Sequence, residues 1–194
     1  MNAHLLLLLR GLSLSASLLL AVISSNFLQA QTCTANTTNP TSYGNGSWIG
    51  HVYNHNGNGN PVTSPFNTYR GYTTELESFD RDWGNSNPAC AAGSDNFAVR
   101  YRMNKTFPAG NYTFTIGGDD GVRLSIDGGI TWILSDWGDH SYRTVSVRVP
   151  MSGNYNLVLE YYEKGGGARV SFSYTSAAST NFSMPDSNIT GMIT

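Results

Sequence analysis

The sequence predicts an all-β domain, an antiparallel β-sandwich or closed barrel. Three observations carry this. No window sustains the helical period of apolar residues. Short apolar/polar alternations recur instead, each closed by turn residues. Charged residues make up only 12% of the chain, which is rich in Gly, Asn, Ser, Thr and Tyr, a composition of extracellular β proteins rather than helical ones.

Residues 48–53 form a short opening element between two segments, 34–47 and 54–64, whose Asn, Gly, Thr and Pro content reads as loop. Phe97, Val99, Tyr101 and Met103 then alternate onto one strand face, and residues 112–116 repeat the pattern. Residues 122–126 continue it and stop at Asp127-Gly128-Gly129, a hairpin signal. Further strands are predicted at 131–134, 144–149, 155–162 and 168–174. Between them, Pro108-Ala109-Gly110-Asn111 and Pro150-Met151-Ser152-Gly153-Asn154 read as matching turns. Short strands at such intervals build a sandwich or a barrel.

Residues 1–30 read as an export signal: Arg10 supplies positive charge, two apolar stretches follow one another, and Leu28-Gln29-Ala30 offers a cleavage point. Arg10 and the serines at 13, 15 and 17 interrupt the run that a spanning helix needs. The mature chain would be a single domain, with a polar tail at 176–194. Loss of Arg10 takes the formal net charge one unit below −2, and no basic block stands out. Nucleic acid and anionic membranes are therefore not expected partners. Cys33 and Cys90, the two cysteines of the chain, are expected to pair in an oxidising compartment, tying the segment 31–46 to the middle of the domain.

From residue 47 to 175 the order of motifs resembles the PA14 domain family. Trp48-Ile49-Gly50-His51-Val52-Tyr53 is similar to its opening element, and Phe97-Ala98-Val99-Arg100-Tyr101 to its next marked strand. Gly117-Gly118-Asp119-Asp120-Gly121-Val122-Arg123-Leu124 carries its Asp-Asp-Gly signature. Trp137 stands where the family has a Trp, and Leu159-Glu160-Tyr161-Tyr162-Glu163 with Gly165-Gly166-Gly167-Ala168 closes the match. The resemblance implies a secreted or cell-surface β module that binds, in an accessory or adhesive role, rather than an enzyme.

Adjacent strand residues point to opposite faces, so Asp119 and Asp120 share one ion only if the backbone is irregular. In the adhesin branch of the family a cis peptide brings two such carboxylates to Ca²⁺. The resemblance places Asp119, Asp120, Glu163 and the carbonyl of Gly165 around Ca²⁺, which takes six to eight oxygens. Glu163 stands where that branch has Asn, and the glycine run after it lacks sugar-contacting side chains. A second reading remains open: Asp119 caps a tight turn, and Asp120 pairs with Arg123 or Arg169.

Sugars stack on exposed rings. Trp137, flanked by Asp136 and Asp139, and Tyr162, beside Glu163, are the candidate ligand contacts, whereas Trp132 alternates as a core residue. His51, His55 and His140 are scattered, with no nucleophile motif near them, and read as surface or hydrogen-bonding residues. Glu75 and Glu77 share a strand face and read as solvated charges, not as a glycosidase pair. Sequons begin at Asn36, Asn45, Asn104, Asn111, Asn181 and Asn188. The sequence thus supports a non-catalytic glycan-binding or adhesive module with Ca²⁺ as its cofactor. The competing reading is a structural or protein-interaction domain of the cell surface.

Overall fold

The computed structural model describes residues 32–35, 40–55, 65–91 and 93–177. The expected export signal, the loop 56–64, the tail beyond 177 and the sequons at Asn36, Asn181 and Asn188 lie outside the described residues. Ten strands and no helix occur among the described residues: β1 (Thr34–Ala35), β2 (Gly44–Asn45), β3 (Trp48–Asn54), β4 (Thr68–Glu75), β5 (Phe79–Gly84), β6 (Phe97–Asp119), β7 (Val122–Ser125), β8 (Leu134–Asp136), β9 (Arg143–Glu163) and β10 (Ala168–Ser176).

The strands run in the order β1-β4-β3-β6-β9-β7-β8, and β10 joins β6 to β5. The sheet does not close, so the sandwich reading holds and the barrel reading falls away. All pairings are antiparallel except that of β2 with β6. The two longest strands organise everything else. The first half of β6 pairs with β3 and its second half with β10, while β9 pairs with β6 along nearly its whole length.

The two segments read as turns, 108–111 and 150–154, are not turns. They lie opposite each other within the β6–β9 pair, Gly110 against Met151 and Phe107 against Gly153, with an irregular register between Phe107 and Gly110. Their Pro and Gly residues let two continuous strands bend together, as a bulge does. Residues 131–134 are also not a strand. The chain there is held by Asp127, whose carboxylate accepts N–H bonds from Ile130 at 3.0 Å and Thr131 at 2.9 Å, and β8 begins only at Leu134.

The core is built by β3, β6, β9 and β10 together. Trp48, Tyr101, Phe114, Phe172, Met103 and Leu157 are fully buried there. Trp48 meets Phe172 edge-to-face at 4.8 Å, and its indole N–H donates to the Glu77 carbonyl at 3.0 Å, which satisfies the polar edge of the buried ring. The Glu75 charge is not solvated, contrary to expectation, whereas the Glu77 side chain stays 35% exposed. Glu75 is 5% exposed and accepts two bonds from Arg81 Nε, at 2.7 and 2.9 Å. Glu77 is bound by Lys105 at 2.5 Å. The expected disulfide between Cys33 and Cys90 is present, with Cα atoms 5.1 Å apart and a sequence separation of 57. Closing a loop of that length removes denatured-state entropy worth up to about 4 kcal/mol.

Candidate functional site

Asp119 ends β6 and a single tight link carries the chain into β7. The Asp119–Asp120 peptide is cis. Glycine is required at the next position, because a Cβ on Gly121 would lie 2.1 Å from Cε1 of Tyr162. Asp120 is 6% exposed, and both of its oxygens accept backbone N–H bonds, Oδ1 from His140 at 3.0 Å and Oδ2 from Lys164 at 2.9 Å. Asp119 accepts from the Tyr142 N–H, and burial with the nearby Asp120 charge raises its pKa nonetheless.

The expectation that Asp120 pairs with Arg123 or Arg169 is not met. Arg123 binds Glu160 through Nε at 2.8 Å and a terminal nitrogen at 2.5 Å. Arg169 binds Asp80 at 2.9 and 2.7 Å. Asp120 instead clamps two loops, one before β9 and one after it, through their N–H groups.

Glu163 ends β9 and pairs in register with Phe97 of β6, so the core side of the sheet receives its side chain. It is 0% exposed. Its Oε2 accepts the Tyr161 hydroxyl at 3.1 Å, while its Oε1 has no hydrogen-bond partner. Burial first, and the Asp120 and Asp119 charges after it, push the Glu163 carboxyl up to about 8 against the pull of the Tyr161 hydroxyl and the Gly165 N–H. The Tyr161 hydroxyl also reaches the Asp119 carbonyl at 2.6 Å. The glycine run lies against Asp119, since a Cβ on Gly167 would sit 3.9 Å from Asp119 Oδ2. Among the described residues no group of three or more His, Cys, Asp or Glu side chains is drawn together as a ready metal cluster. The donor set of hard oxygens and the orphaned Oε1 nevertheless suit a cation such as Ca²⁺.

The aromatic candidates fare differently. Tyr162 is fully buried, donates its hydroxyl to Asp139 at 2.9 Å and meets Trp137 edge-on at 4.8 Å. It therefore has no free face for a sugar, contrary to expectation. Alternation along β9 suggested otherwise because its outward side was assumed to meet water, whereas the 126–141 segment covers it. Trp137 is half-buried, with the Arg123 guanidinium over its ring at 4.2 Å. Trp132, read as core, is also only half-buried, with the Arg123 guanidinium over its ring at 4.1 Å. Asp136 is committed to Arg143, at 2.7 and 2.5 Å, and Asp139 to Lys164. Both acids are ion-paired, Asp136 half-buried and Asp139 exposed.

Sequence reasoning missed the roles of Tyr161, Tyr142 and Lys164, which hold the three acids from the backbone or through a hydroxyl. It also missed the buried histidines. His51 is 0% exposed and bonds the Ser42 carbonyl at 2.9 Å through Nε2. His55 is 6% exposed with neither ring nitrogen bonded.

The PA14 domain family model matches residues 45–188, and the chain belongs to that family. The anti-sigma-I factor RsgI3 of Acetivibrio thermocellus is 29% identical over 114 residues, 57% of this chain, which spans 17% of that relative's length. Among solved structures, an anti-sigma factor domain-containing protein is 26% identical with a TM-score of 0.56, over 71% of this chain and 44% of its own. A PA14 sugar-binding domain from an RTX adhesin shares the fold at 16% identity and a TM-score of 0.53, over 67% of this chain and 89% of its own.

Proposed function

We propose that this PA14 domain is a non-catalytic carbohydrate-binding module whose ligand end is built around Asp119, Asp120 and Glu163. One observation carries the reading. A fully buried carboxylate oxygen, Glu163 Oε1, has no partner and lies within electrostatic reach of two further carboxylates. Leaving such a group unsatisfied is costly, and a cation supplied with the ligand would relieve it. Asp119, Asp120, Glu163 and the Gly165 carbonyl would hold Ca²⁺. When bound, that ion offers open coordination positions to sugar hydroxyls. The chain's own residues set the geometry: Asp120 ties the two loops together, Tyr161 orients Glu163, and the bare glycine run lets a ring approach the backbone. Sugar binding is the property named for the RTX adhesin domain, and it is the ligand class proposed here. Export to the cell surface or beyond goes with this reading, and no described helix is long and apolar enough to cross a membrane.

A second reading has its own support. The anti-sigma relatives are longer proteins of which this chain matches a part, which suits an accessory or protein-interaction domain without a sugar site. A glycan-binding screen of the purified chain, run with calcium and again with chelator, separates the two. The first reading expects chelator-sensitive binding that Asp119→Ala with Asp120→Ala abolishes. Absence of any bound glycan, with unchanged melting on adding calcium, would overturn it.

A further inference from the structure

We infer that this end of the domain selects uncharged glycans and turns away carboxylated ones, with Asp95 as a specificity-determining residue; the inference rests on the glycan-binding reading above. Asp95 stands on the connection between β5 and β6, and it is exposed. A Cβ on Gly165 would lie 3.9 Å from Asp95 Cγ and 4.0 Å from its Oδ2. The corresponding point on Gly167 lies 3.9 Å from Asp119 Oδ2. The bare glycine run is therefore flanked by a carboxylate at each end. Asp95 is bonded by the Ser94 hydroxyl at 3.3 Å and forms no ion pair among the described residues.

The neighbouring cations are already committed. Lys164 binds Asp139. Arg169 binds Asp80 at 2.7 Å, lies 3.9 Å from Asp82 and stacks on the Tyr142 ring at 3.9 Å. No cation among those neighbours is left to receive an anionic sugar. The buried, unpartnered Oε1 of Glu163 is the independent sign that something binds here. Asp119, Asp120, Glu163 and Asp95 together outweigh a single dication, so the field stays negative with calcium in place and is more so without it. Uncharged hydroxyls meet no penalty in that field, whereas a uronic carboxylate held about 8 Å from Asp95 loses roughly fivefold in affinity to that one charge.

The test uses the full chain with calcium present. Binding of neutral gluco-, manno- and galacto-oligosaccharides is compared with that of oligogalacturonate of matched length, at low and high salt. The neutral class is expected to bind at least about tenfold tighter at low salt, a gap that high salt narrows and that Asp95→Asn reduces about fivefold. Oligogalacturonate binding as tightly as a neutral ligand overturns the inference and leaves glycan binding intact, as does a gap that Asp95→Asn does not move. If that variant fails to fold, the salt dependence of the gap in the unmodified chain decides alone. Binding of neither class overturns both readings together.

Discussion

Two buried glutamates sit three residues apart on β9, and they are held in opposite ways. Glu160 is 3% exposed and lies between Arg100 at 2.6 Å and Arg123 at 2.5 Å, its register partners on β6 and β7. Phe66 covers Arg100 at 4.0 Å, and the two tryptophans cover Arg123. Glu163 is fully buried with no arginine beside it; a tyrosine hydroxyl, the Gly165 N–H and two further acids surround it. A buried carboxylate with its charges matched is part of the frame. One surrounded by like charge is held closer to its neutral, protonated form.

The contrast can be broken most strongly at Glu160. Glu160→Ala leaves two half-covered arginines without their counter-ion and is expected to cost about 3 kcal/mol in denaturant unfolding. Glu163→Ala should cost far less, and equal losses would erase the distinction. Calcium is the next largest expected effect. At a hundredfold excess over its dissociation constant it should stabilise the chain by about 2.7 kcal/mol, seen as a raised melting temperature that Glu163→Gln or the Asp119→Asn, Asp120→Asn pair removes.

A pH series sharpens the contrast further. The Glu163 carboxyl rises from 4.5 to about 8 on folding, so between those values the folded chain holds a proton that the unfolded chain has released. Without divalent ions, stability should therefore fall as pH climbs through this window and level off above it. Glu163→Gln should remove that slope and melt above the unmodified protein at pH 8, while the two coincide near pH 5. A parallel pH slope in both proteins would refute the assignment to Glu163. The smallest expected effect lies on the matched side. Trp132→Ala uncovers one face of Arg123 and should cost about 1 kcal/mol, with no change in calcium response.

Much of this was legible in the chain. The strands around Val99, Ile116 and Leu159 announce themselves because one face is apolar, and Asp119 and Asp120 lie in the Asp-Asp-Gly signature, whereas Glu163 stands where the adhesin branch has Asn. β4 gives no such signal, because the residues it buries are Gly71, Thr73 and Glu75 rather than hydrophobes. β5 hides for a related reason, with Asp80, Arg81 and Asp82 between its aromatics. Tyr162 was misread because the end of β9 is buried on both faces, and period-two reasoning assumes that one face meets water. The Arg123 clamp needs Trp132, Trp137 and Glu160 at once, a meeting that strand pairing creates and local sequence does not record.

The bend shared by β6 and β9 has a mechanical consequence. Because β9 pairs with β6 on both sides of this bend, the two halves of the pair cannot peel apart as separate plates. A pull along these strands, such as a tethered ligand would exert at the Glu163 end, acts on their hydrogen bonds side by side as shear. The Glu163 end is thereby anchored to the length of the sandwich rather than to the loops that surround it.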